Sequence, residues 1–185
     1  MYQDGSSQRL ITREESVLLL IDVQEKLLPA VADGKALLDN VLRLVKFARI
    51  IGLPVVVTEQ MKLGDTVPEV RAEIPDMSPI RKLTFDCFGT PEFTSRIRDM
   101  NRPNLILAGV EAHICVVQTA VSALRHYNVH TVVDAVSSRS PHNKAIALER
   151  MAQAGATLTS TETVIYELLG EAGTDEFKAV LPLVK

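Results

Sequence analysis

The chain of 185 residues has no tryptophan, aromatic residues make up only 4% of it, and it carries two cysteines. Few aromatics and no basic stripe leave nothing on which successive bases would stack, so nucleic acid is not an expected partner. Cys87 and Cys115 cannot build a disulfide framework, and no Cys–His spacing of a zinc site accompanies them. Long apolar runs are missing too: none approaches the roughly 20 residues of a membrane span. The polar stretch Met1 to Glu15 has no apolar core of a signal peptide. A cytoplasmic protein, kept reduced and away from membranes, is therefore expected. No glycine-rich phosphate loop follows any apolar run, no repeat of fixed period appears, and acidic residues exceed basic ones by only three.

What is present is a hydrophobic share of 46% against 23% charged, a globular balance. Apolar runs alternate with helical patterns. Val17 to Ile21 is short and wholly apolar, as in a strand buried on both faces. Leu37, Val41, Leu44, Val45, Ala48 and Ile51 recur at helical spacing until Gly52 stops them. Pro54 to Thr58, Ile80 to Leu83, Leu105 to Gly109, Val129 to Val133 and Ala156 to Thr159 supply further strands. Gly64 to Pro79, with three prolines, reads as a long excursion holding one helical turn. Thr90-Pro91-Glu92 and Ser140-Pro141 open helices with a cap and an initial proline. Glu162 to Leu169 and Asp175 to Leu181 are closing helices, which either cover the sheet or form an interface. The expected fold is α/β, three layers (α/β/α) around a six-stranded parallel sheet with right-handed crossovers. Residues 1–15 form a polar extension and 16–185 a single domain.

Open parallel sheets bind ligands beyond the carboxyl ends of their strands, where the strand order reverses. In the Rossmann-like order 3-2-1-4-5-6, that point lies between strands one and four. Strand one ends at Asp22; strand four runs into Gly109-Val110-Glu111-Ala112-His113-Ile114-Cys115. Given this order, a carboxylate and a thiol approach one crevice. Each has a plainer reading: Asp22 as a helix cap, Cys115 as a buried core thiol. Lys82, in Arg81-Lys82-Leu83-Thr84-Phe85, is either a solvated lysine or the partner such a carboxylate needs. Phe85 and Phe88 suggest that this segment is partly buried. Cys87 reads as a packed thiol.

Asp22-Val23-Gln24 after an apolar strand, Lys82 before Thr84-Phe85, and Gly109 to Val116 together resemble the isochorismatase-like cysteine hydrolases. Spacing and order match from about Ser16 to Leu169. The resemblance implies a six-stranded parallel sheet and a catalytic triad of Asp22, Lys82 and Cys115. It also implies a cis peptide between Val110 and Glu111, with the backbone amides of Glu111 and Cys115 as an oxyanion hole. No cofactor is implied. The metal motif of the nicotinamidase branch falls at Thr58-Glu59-Gln60-Met61-Lys62, which has no histidine, so no metal is expected either. Oligomerisation with copies of itself is implied as well. Gln24, Gln60 and Phe88 are candidate contacts to a small-molecule substrate, and His113 is placed beside the nucleophile or on the helix surface.

The residue types fit acyl transfer. A free thiol with a pKa near 8.5 is only about 3% thiolate at pH 7. A helix N-terminus and a nearby lysine are expected to lower that value, and Asp22 is expected to take the thiol proton. Hydrolysis of a small amide or related C–N bond follows. The alternatives are a non-catalytic scaffold of the same fold and an acid-catalysed vinyl-ether hydrolase. A receiver domain or a haloacid-type phosphatase would want a second acid after strand one, where Gln24 stands.

Overall fold

A computed structural model describes residues 9–185. Residues 1–8 of the expected N-terminal extension lie outside it. The remainder of that stretch packs on the domain: Ile11 is buried in the core and Arg13 pairs with Glu176 at 2.5 Å.

Six parallel strands run in the order β3-β2-β1-β4-β5-β6. They are β1 (Ser16–Ile21), β2 (Val55–Gln60), β3 (Ile80–Lys82), β4 (Asn104–Val110), β5 (Asn128–Ser137) and β6 (Thr157–Thr159). Among the described residues the helices are α1 (Gly34–Ile51), α2 (Pro68–Glu73), α3 (Pro91–Met100), α4 (Val117–Ala123), α5 (Pro141–Gln153), α6 (Thr161–Leu169) and α7 (Asp175–Val184). The expected α/β sheet with the 3-2-1-4-5-6 order is the observed one.

β1 shows why the sheet has two covered faces. Side chains alternate along a strand, so Leu18 and Leu20 enter the core shared with α1, α6 and α7. Val17, Leu19 and Ile21 enter the other, shared with α3, α4 and α5. Full burial of each such side chain contributes roughly 1.5–3 kcal/mol. The closing helices cover the sheet: Val164, Ile165, Leu168, Leu169 and Val180 are all in the first core.

Helix limits follow local chemistry. Gly52 ends α1 at φ 67° with its N–H on the Ala48 carbonyl, and Ser140 caps α5 by accepting from the Asn143 amide. Thr90 precedes α3 but does not cap it; its hydroxyl faces that of Thr84 at 3.1 Å. β3 stops at Lys82, one residue short of the expected end. As a three-residue edge strand it buries only alternate side chains, so Arg81 points out, and Leu83 and Phe85 beyond it are exposed.

The β1–β4 contact needs Gly109. At φ 122°, a Cβ on this residue would stand 2.0 Å from the Ile21 carbonyl oxygen. Only glycine lets the two central strands run side by side to their carboxyl ends.

Candidate active site

β1 and β4 are neighbours, with Ile21 opposite Gly109, so the residues after them emerge together. Asp22 follows β1 in a left-handed conformation, φ 54°, and its side chain is wholly buried. Lys82 ends β3, two strands away, and reaches back across β2 under the carboxyl edge of the sheet. Its Nζ lies 2.7 Å from Asp22 Oδ2, 2.8 Å from Gln60 Oε1 and 3.7 Å from Cys115 Sγ. The other Asp22 oxygen accepts from the Thr58 hydroxyl at 2.7 Å. A carboxylate, an ammonium and a thiol thus share one dry site, and the two charges are paired and hydrogen-bonded, as burial requires.

Cys115 sits in a π-helical turn, Ala112–Val116, which precedes α4. The Glu111 carbonyl starts this turn by accepting from the amides of Ile114 and Val116 at 3.0 and 3.3 Å. The Val110–Glu111 peptide is cis.

The expected lowering of the Cys115 pKa is corrected by the structure. Burial, first, and the Asp22 charge, second, push the thiol well above the range of a free cysteine; the pull of Lys82 is smaller. Burial works against the Lys82 ammonium, but the Asp22 charge and the hydrogen bond to it count the other way, and Lys82 is raised. Lys82 and Asp22 form an ion pair at 2.7 Å, and the direction in which the thiol is pushed favours its protonated form beside them. Cys87, also buried, is pushed up to about 12 by desolvation, and its backbone N–H bonds the Thr119 hydroxyl.

A family model for the isochorismatase domain matches residues 16–163. The chain belongs to the isochorismatase family. It is 39% identical over 176 residues to human isochorismatase domain-containing protein 2, covering 92% of this chain and 83% of that protein. Among solved structures it resembles the MAR1 ribonuclease of Caenorhabditis elegans (TM-score 0.89, 37% identity, 95% and 92% of the two chains). It also resembles the Escherichia coli YcaC gene product, described as an octameric hydrolase of unknown specificity (TM-score 0.87, 27% identity, 94% and 89%).

In this isochorismatase-family site the remaining candidates fall in different places. Gln60 bridges, accepting from Lys82 and donating to the Leu83 carbonyl at 2.9 Å. Gln24 is fully buried, and both its amide hydrogens go to backbone, the carbonyls of Gln60 and Gly64. Its own oxygen accepts from the Gln60 amide, so it ties the β1 exit to the β2 exit. Phe88 packs edge-on against Phe93, with centroids 5.1 Å apart, and stacks on Tyr127. His113 is half-buried, its Nδ1 3.0 Å from the Ser138 hydroxyl.

Two partners escaped the sequence reading. Thr58 was read as the end of an apolar strand and the start of a segment without a metal motif, not as a partner of Asp22, although its place one strand away was a usable signal. Arg139 carried none, because it meets Glu111 only through the pairing of β4 with β5. The Glu111 carboxylate is buried, which alone would raise its pKa. The hydrogen bonds and charge of Arg139 more than offset that, and the group is lowered. Among the described residues, no three His, Cys, Asp or Glu side chains gather as a metal-binding group. Nor, among the described residues, is any helix long and apolar enough to cross a membrane.

Proposed function

We propose that the chain is a cysteine hydrolase that opens a small amide or related C–N bond through a thioacyl-enzyme intermediate. The observation that carries this reading is the contact of the Lys82 ammonium with both Asp22 and Cys115 inside a buried site. Asp22 takes the proton from Sγ as sulfur adds to the substrate carbonyl carbon. The backbone amides of Glu111 and Cys115 hold the oxyanion of the tetrahedral adduct. As the C–N bond breaks, the proton on Asp22 passes to the leaving nitrogen, leaving a thioester on Cys115. Water then adds to the thioester while Asp22 accepts one of its protons. Collapse returns that proton to sulfur and releases the acid. Lys82 stays charged throughout and keeps Asp22 in place.

Of the three proposed substrate contacts, Gln60 is the one whose side chain hydrogen-bonds a triad residue, Lys82. Gln24 and Phe88 act on the substrate only through the loops they hold. Self-association is proposed on the octameric state described for the E. coli relative, and sedimentation velocity measures it.

The test is a hydrolysis screen of small amides and carbamoyl compounds with the parent chain and Cys115→Ala, with intact-mass detection of an acyl adduct. Turnover by the parent, an adduct on Cys115 and their loss in Cys115→Ala support the reading. Retained activity in Cys115→Ala refutes it. Because the worm relative is named a ribonuclease, the screen includes a single-stranded RNA; RNA cleavage that survives Cys115→Ala favours that second reading.

A further inference from the structure

The mechanism uses the backbone of Glu111 but leaves its carboxylate idle, although this is one of the most heavily bonded groups in the molecule. Val110 pairs with Ser137, so the exit of β5 runs directly alongside the exit of β4. There the Arg139 backbone N–H donates to Glu111 Oε2 at 2.8 Å. The Arg139 guanidinium adds Nε at 3.2 and 3.1 Å to the two carboxylate oxygens, and a terminal nitrogen at 2.7 Å to Oε1. The Glu111 side chain is 5% exposed and that of Arg139 63% exposed. Both oxygens are engaged, so the group is poorly placed to act as a base.

The same strap grips the turn a second time. The Ser138 hydroxyl accepts from the His113 backbone N–H at 3.4 Å and meets His113 Nδ1 at 3.0 Å. The strap is itself anchored: the Ala32 N–H donates to the Ser138 carbonyl, and the Ser137 hydroxyl to the Ala32 carbonyl at 2.6 Å. Between these ties lies the turn whose first carbonyl, that of Glu111, accepts from Ile114 and Val116 on either side of Cys115.

We propose that the Glu111–Arg139 pair is a positioning clamp that fixes the nucleophile turn, and with it the Glu111 amide and Cys115 Sγ, in the geometry acyl transfer needs. The proposal rests on the cysteine-hydrolase reading for its catalytic consequence, but not for its structural one. A forked guanidinium suits the task because it fixes direction as well as distance. Misplacement of reacting groups by about 1 Å lowers rate by as much as about a hundredfold while leaving ground-state binding intact. Arg139 and the Glu111 side chain are therefore positioning residues, acting through the backbone.

The experiment compares the parent chain, Arg139→Ala and Arg139→Lys by steady-state kinetics on an amide identified in the screen, and by hydrogen exchange followed by mass spectrometry. In Arg139→Ala, kcat falls between about tenfold and a hundredfold with KM near the parent value. Exchange speeds up in residues 110–117 and stays unchanged in β1. Arg139→Lys, which keeps the charge without the fork, recovers part of the loss. An unchanged kcat, a loss carried by KM alone, or unchanged exchange in the turn overturns the clamp. If the parent hydrolyses no amide, the hydrolase reading falls instead, and exchange in the turn decides the clamp by itself.

Discussion

Replacing Asp22 with asparagine should make Cys115 easier to ionise while destroying turnover. Ionising the thiol to bulk solvent in the parent site leaves two anions facing one ammonium. The carboxylate and the sulfur both lie against Lys82 Nζ, at 2.7 and 3.7 Å, so they stand within roughly 6 Å of each other. At an effective dielectric constant of about 20, that separation costs the second anion about 2.5 kcal/mol. This corresponds to about 2 pKa units, acting in the direction in which Asp22 moves the thiol. Asp22→Asn removes the repulsion and keeps the lysine, whose new counter-charge is the thiolate. The thiol pKa is expected to drop by about 2 units, raising the thiolate fraction at neutral pH by up to about a hundredfold.

The assay is the rate of alkylation by iodoacetamide, a neutral reagent, followed by peptide mass spectrometry from pH 6 to 10. Cys87, buried and pushed up to about 12 mainly by desolvation, is followed in the same digests. Both labelling curves should climb to the alkaline end, but that of Asp22→Asn should lie about 2 pH units lower, so that at any given pH Cys115 is labelled up to about a hundredfold faster. Turnover should fall at the same time by about a hundredfold or more, the scale of a lost general base. A labelling curve that stays put or moves to higher pH would refute the electrostatic argument. So would a variant whose turnover survives.

Lys82→Met strips the counter-charge from a carboxylate that is wholly buried, and should cost about 3–5 kcal/mol in urea denaturation. A loss below about 1 kcal/mol would mean that the two groups are not coupled. Gly109→Ala puts a methyl group 2.0 Å from the Ile21 carbonyl oxygen, and should destabilise by more than about 4 kcal/mol, read as insoluble expression or a collapsed Tm. A Tm within a few degrees of the parent would show that β1 and β4 do not approach as described.

The legible parts of the molecule are those governed by local pattern. The short, wholly apolar run from Val17 to Ile21 suggested a strand with two covered faces, and Gly52 and Ser140 marked helix ends by conformational preference and capping. The strand order was a condition of the sequence reading, and once it held, Asp22 and Cys115 had to emerge side by side. Lys82 was harder to place, since a lysine in an exposed-looking edge segment has the same sequence signature whether it points into water or into the sheet. Register decides it: opposite Gln60, on the face that also carries Thr58, it points inward. Gln24 and Arg139 were illegible because their work is set by pairings between distant exits of the sheet, which no spacing along the chain encodes.

The protonated thiol is the instructive departure. A helix terminus and a lysine beside a cysteine were expected to lower the thiol pKa, but burial and the Asp22 charge outweigh the pull of Lys82. The resting site holds one negative charge, one positive charge and a neutral thiol. Passing the thiol proton to Asp22 gives a neutral acid, the same ammonium and a thiolate, with net charge unchanged. Burial opposes a change in net charge far more than an exchange of charge between neighbours at fixed separation. A thiol that resists losing its proton to solvent is therefore compatible with one that yields it to Asp22 when a carbonyl carbon arrives. Asp22→Asn separates the two quantities: it should ease the first transfer and abolish the second.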